Sequence, residues 1–180
     1  MAFDLKRNRL LGSLASLPFV IAMSCPTDAM AQAQPPAPKA PSAPAQAGLA
    51  TNDHEISGVE VTLLELKRTS GDTITARWRY KNSNPKREEL VKGYGGNDPW
   101  KLALDSYLID GVNKKKYLLL TDANNVPIAG KHGGAGESIF VGPGASLSTW
   151  AKYPAPPEHV KKITLYINGV APFEDIPISQ

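Results

Sequence analysis

The side chains that invite chemistry in this chain are three histidines, a few carboxylates and two serines, and their spacing decides what they can do. His54, His132 and His159 stand far apart, none at i, i+2 or i+4 from another. That is not the spacing of a metal site, and each reads as an exposed loop residue. Ser138 and Ser148 lack the glycine-flanked elbow that presents a hydrolase nucleophile. Glu174 and Asp175 are neighbours, and in an extended strand neighbours point to opposite faces, so they cannot work as an acid/base pair. Asp122 and Asn124 match the opening of a calcium loop, but the later glycine and glutamate are missing at the required spacing. An Asp/Asn turn is the simpler reading. The glycine strings at 93–96 and 133–136 precede no helix whose N-terminus could hold a phosphate. The expectation is no catalytic residue, no metal and no cofactor, hence not an enzyme.

What the residues do offer is contact chemistry. Arg77, Arg79 and Lys81 alternate with Ile74, Ala76, Trp78 and Tyr80, giving a strand with a buried face and a cationic outer face. Tyr94 and Trp100 flank a Gly-Gly-Asn-Asp turn in a charged, aperiodic loop over 82–100. Long loops without structure of their own tend to be functional or mobile; the competing reading is that Trp100 closes the core. Arg77, Arg79, Tyr94 and Trp100 are therefore the candidate protein contacts. Lys114, Lys115 and Lys116 form a cluster suited to an anionic head group, or to a solvated face that discourages strand pairing.

These residues need a scaffold, and short apolar runs between turn signals supply one. Val59, Val61 and Leu63 alternate with polar residues before the phase shifts to Leu64 and Leu66, the mark of a bulge. Ser70-Gly71-Asp72 turns this strand into the Arg77 strand. Leu102 to Ile109 and Tyr117 to Leu120 read as a hairpin about Asp110-Gly111, and 121–136 is irregular. Ile139 and Val141, Leu147 to Tyr153, and Ile163 to Ile167 are further strands; Phe173, Ile176 and Ile178 form an edge that tolerates Pro172 and Pro177. Seven to eight short strands and no amphipathic helix predict an all-β, Ig-like antiparallel β-sandwich. Trp78 is the expected central aromatic, with Trp150 and Tyr153 as a second core corner.

Charge and the N-terminus bound the setting. Lys and Arg number 20 against 17 Asp and Glu, too even a balance for nucleic acid. Lys6, Arg7 and Arg9 precede an apolar run from Leu10 to Cys25 and a small-residue site at Ala29-Met30-Ala31, the layout of a signal peptide. The run is 16 residues broken by Pro18, short of the ~20 that span a bilayer. Cleavage after Ala31, with no transmembrane helix in the mature chain, is expected. A lipidated Cys25 is the rival, disfavoured by Ala22 and Pro26. The expected domains are a signal peptide at 1–31, a disordered Pro/Ala-rich linker at 32–52, and the sandwich at 53–180.

Three strings carry a resemblance: NKKKYLLLTD at 113–122, PGASLSTWAKYPAPP at 143–157 and VAPFEDIPI at 170–178. They resemble an uncharacterised family of exported bacterial Ig-like domains with WAKFPAPP- and PFEDVPI-type elements, some of which precede OmpA-like peptidoglycan-binding domains. Tyr153 stands where the family pattern has phenylalanine, and no OmpA-like sequence follows up to Gln180, so cell-wall anchoring is not carried over. The resemblance implies the fold and an exported setting and brings no catalytic residues. The expected function is a non-enzymatic, periplasmic or secreted module that binds or spaces a protein or cell-envelope component. The alternatives are a small-ligand carrier or enzyme built on loops 82–100 and 121–136, and a lipid-anchored envelope lipoprotein.

Overall fold

Alternation of apolar and polar residues builds the first sheet. The computed structural model describes residues 47–93 and 99–180; the expected signal peptide, Cys25, most of the expected linker and Tyr94 lie outside them. β1 (Ala50–Asp53), β2 (Val59–Thr69), β3 (Thr73–Asn82) and, later in the chain, β8 (Ser146–Pro154) pair antiparallel in the order β1-β2-β3-β8. β1 begins at Ala50, so Ala50–Asn52 belong to the folded region and not to the linker. The bulge falls at Leu64: Leu63 faces Trp78 and Glu65 faces Arg77, and the extra residue returns Leu66 to the buried side. Gly71 and Asp72 take left-handed backbone in the β2–β3 turn.

The second sheet has the order β10-β9-β5-β6, from β5 (Tyr107–Asp110), β6 (Lys115–Leu118), β9 (Lys162–Tyr166) and β10 (Phe173–Pro177). Inward residues of both sheets form one core in which Trp78, Leu63, Leu66, Tyr153, Leu165 and Phe173 are at most 1 % exposed. The architecture is the expected all-β antiparallel sandwich, with ten strands among the described residues in place of seven or eight. β10 is an edge strand within its sheet. The chain then crosses to the first sheet, where Ser179 N–H donates to the Leu66 carbonyl and Arg68 N–H to that of Ser179.

Two local readings are corrected. The run from Leu102 was expected to be strand, yet Lys101–Leu104 forms a single helical turn, α1. Short apolar runs do not distinguish buried helix from buried strand. Here Trp100 C=O accepts from Ala103 N–H and Leu104 N–H, and Leu102 and Ala103 are buried. The loop over 82–100 also contains β4 (Glu88–Val91), paired with β7 (Ile139–Val141) in a small third sheet. Its Glu-Glu-Leu-Val sequence does not alternate, so it carries no strand signal. The buried Asn82 side chain secures the junction by donating to the carbonyls of Lys86, Val141 and Gly142 at 2.8, 3.2 and 3.1 Å.

The proline string of the C-terminal third is held by Arg68, whose guanidinium donates to Pro156 O at 2.8 Å, Pro157 O at 3.0 Å and Val160 O at 3.4 Å. Arg68→Ala should lower the unfolding free energy by about 1–3 kcal/mol, the usual cost of stranding such acceptors. Denaturant titration checks this; an unchanged midpoint would mean that water replaces the guanidinium.

Candidate functional site

Two-residue periodicity sends every second side chain of the first sheet to its outer face. Register then sets the neighbours: Glu65, Arg77 and Trp150 lie in one row across β2, β3 and β8, and Thr62, Arg79 and Ser148 in the next. The expectation that Trp150 sits in the core is thereby corrected. On β8 the buried positions are Thr149, Ala151 and Tyr153, while Trp150 is half-buried on the opposite face. The aromatic pair in the sequence thus splits, Tyr153 inward and Trp150 outward.

Leu64, freed by the bulge, joins Arg77, Ser148, Thr149 and Trp150 around a shallow notch of about 210 Å³. Arg77 Nε meets Glu65 Oε2 at 3.3 Å, with the Arg77 side chain exposed and that of Glu65 half-exposed, so the pair contributes little to stability. Arg79 stands between the Thr62 and Ser148 hydroxyl positions, with no carboxylate in ion-pair range among the described residues. Lys81 Nζ donates to Gly144 O at 2.5 Å. The face is cationic and rich in hydroxyls, with one indole and one leucine at its centre.

Trp150 links this face to the irregular segment 121–136. Gly130 N–H donates to Trp150 O, and a Cβ at Gly130 would stand 2.6 Å from Thr149 Oγ1 and 3.3 Å from Trp150 Cδ1. Only glycine permits that approach. His132, whose N–H donates to Pro99 O, lies beside the same glycine. Trp100 packs on the core at the start of α1, with Lys131 Nζ 5.8 Å from its ring centre. Arg77 and Arg79 therefore share one surface, whereas Trp100 contributes to closing the core.

Asp122 accepts from the backbone N–H groups of Asn124 and Val126 and closes its own turn. Among the described residues no group of three or more His, Cys, Asp or Glu is placed to hold a metal, and no helix is long and apolar enough to cross a membrane. A groove of about 550 Å³ between the β2–β3 hairpin and residues 155–158 has Arg68 in its wall, already engaged by three carbonyls. Lys115 and Lys116 lie exposed on edge strand β6, and Lys116 Nζ caps the Tyr107 ring at 3.6 Å, while Tyr107 stacks on Tyr166.

His54 was read as an exposed loop residue and is in fact buried at 8 % exposure. Burial lowers its pKa below 6.5, with Glu55 partly opposing, and burial likewise lowers that of His132. The unfolded chain then binds more protons at mildly acidic pH, so this stability is complete above about 6.5 and is lost as pH falls through the folded values. The melting temperature should fall between about pH 7.5 and 5, less steeply in His54→Gln. A flat profile would contradict the burial. Comparison with family models, with curated proteins and with solved structures finds no match.

Proposed function

We propose that this protein is a non-enzymatic binding module of the cell envelope that engages an acidic partner through the outer face of its first sheet. The carrying observation is the juxtaposition of Arg77, Arg79, Leu64 and Trp150 on an open face, where packing of the core needs none of them. Indole and guanidinium groups are the side chains that most often dominate binding energy, and the unpaired Arg79 supplies charge complementarity for carboxylates. The N-terminal layout supports export to the periplasm with a chain starting at Gln32, and the three C-terminal strings support membership of the exported Ig-like family.

The test is crosslinking in intact envelopes followed by identification of the adducts. A partner with an acidic segment is expected, its yield falling in high salt and in the Arg77→Glu/Arg79→Glu variant. Adducts indifferent to both would overturn the reading. Intact mass settles the export route separately: a chain beginning at Gln32 agrees with it, and an acylated Cys25 replaces it with a lipoprotein.

A further inference from the structure

β8 leaves part of one sheet edge open. Asn82 N–H donates to Ala145 O and Ala155 N–H to Asp72 O at either end of the β3–β8 ladder. By alternation, the odd-numbered residues of β8 turn their backbone groups toward β3 and the even-numbered ones turn theirs away. Beside Trp150 and Lys152 that outer edge is occupied: Gly130 N–H donates to Trp150 O at 2.9 Å and Lys152 N–H to Ile128 O at 3.0 Å, with Ala129 antiparallel to Ala151. The added segment ends there. The outward N–H and C=O of Ser146 and Ser148 meet no hydrogen-bond partner among the described residues, and both serines are exposed.

Open strand edges are normally blunted by charge, proline, a bulge or shortness. The other edges of the sandwich follow that rule: β1 is 4 residues long, β6 carries Lys115 and Lys116, and β10 carries Pro177 and a bulge with Asp175 in left-handed backbone. Over 146–150, β8 reads Ser-Leu-Ser-Thr-Trp, with no charge and no proline. Register sets Lys81, Arg79 and Arg77 across from Ser146, Ser148 and Trp150. Cations thus repeat behind this edge at the two-residue period of a strand laid on it. Such a strand would lie about 9–10 Å from β3, two strand spacings, a gap that an arginine and a glutamate side chain span together over the small Ser148.

We infer that the acidic partner adds an antiparallel strand to β8 at 146–150, in line with the segment at 128–130, with carboxylates at alternate positions opposite the serines. The inference rests on the cationic face proposed above and gives it a binding mode. Backbone hydrogen bonds supply affinity, and the alternating carboxylates fix the register.

Titration of the full chain with an end-blocked hexapeptide of alternating glutamate and valine, followed by NMR of the backbone amides, tests the inference. Saturable shifts and slowed hydrogen exchange at the Ser146 and Ser148 amides are expected. Methylating the glutamate nitrogens of the probe, which face β8 in an antiparallel pair, should weaken it by about tenfold or more, and so should Ser148→Pro. The Ser148 N–H makes no ladder bond to β3, so proline there should leave the melting temperature close to that of the wild type; should it fall, the methylated probe on the unaltered chain decides. A methylated probe as tight as its parent would overturn strand addition even if Arg77→Glu/Arg79→Glu abolishes binding. Unchanged affinity in a folded Ser148→Pro, or no saturable shift up to about 10 mM, would overturn it too. Binding of the parent probe that is indifferent to the charge reversal would instead overturn the cationic face on which the inference rests.

Discussion

Replacing Trp78 with alanine should lower the unfolding free energy by about 3–5 kcal/mol, the range for deleting a large buried aromatic. The indole is fully buried, flanked on its own strand by Ala76 and Tyr80 and facing Leu63 of β2 and Thr149 of β8 across the sheet. Against a total stability of about 5–15 kcal/mol for such a domain, that loss would leave a substantial unfolded fraction on mild heating. Trp78→Phe should cost less than the alanine change for two reasons. The smaller cavity is one, and the other is polar: Trp78 Nε1 and the cross-strand Thr149 Oγ1 are buried without a hydrogen-bond partner among the described residues. The Tyr80 hydroxyl, its own pKa pushed up to about 12 by burial, feels the indole N–H without meeting it in bonding geometry. Phenylalanine removes that orphan donor. Chemical denaturation of the three proteins checks the order; an alanine variant within about 1 kcal/mol of wild type would show that the core closes without the indole.

Trp150→Ala should do the reverse. Its side chain is half-buried on the outer face, so the stability loss should be about 1 kcal/mol or less, while partner affinity should fall by about 2 kcal/mol or more, roughly thirtyfold. Adding Arg79→Glu should lower it further and steepen its salt dependence. Stability by denaturation and partner recovery from crosslinked envelopes, measured on the same variants, separate the roles. A Trp150 variant as destabilised as Trp78→Ala, with its partner retained, would return the residue to a structural role.

The sequence carried the strands wherever period-2 alternation ran cleanly. The β2–β3 hairpin, the bulge beside Leu64, the β7 and β9 strands and the proline-flanked edge at β10 all follow from it. What it did not carry has local physical causes. α1 was hidden because Leu102 to Leu104 fit a buried strand as well as a helical turn, and the choice was made by the Trp100 carbonyl and the packing of Ala103. β4 was hidden because its glutamates pair at the margin of the core, where no alternation is imposed.

Legibility of the site was also partial. Arg77 and Arg79 could be assigned to an outer face from the pattern of β3 alone. Trp150 could have been assigned in the same way: counting alternate positions back from Tyr153 puts 151 and 149 inward and 150 outward, but the weight given to a large aromatic overrode the period. The buried His54 had no sequence signal, because its burial depends on the distant Gly169 and on a bridge to Val170.

The central claim, recognition of an acidic partner by the outer face of the first sheet, is tested most directly by a photo-crosslinking amino acid at position 148. Ser148 is exposed, opposite Arg79 and two residues from Trp150 on the same face. The matched control is position 164, on the outer face of the second sheet. In intact envelopes, position 148 should give a discrete adduct that disappears in Arg77→Glu/Arg79→Glu, and position 164 should give none. No adduct at 148, or an adduct there that survives the charge reversal, would contradict the account.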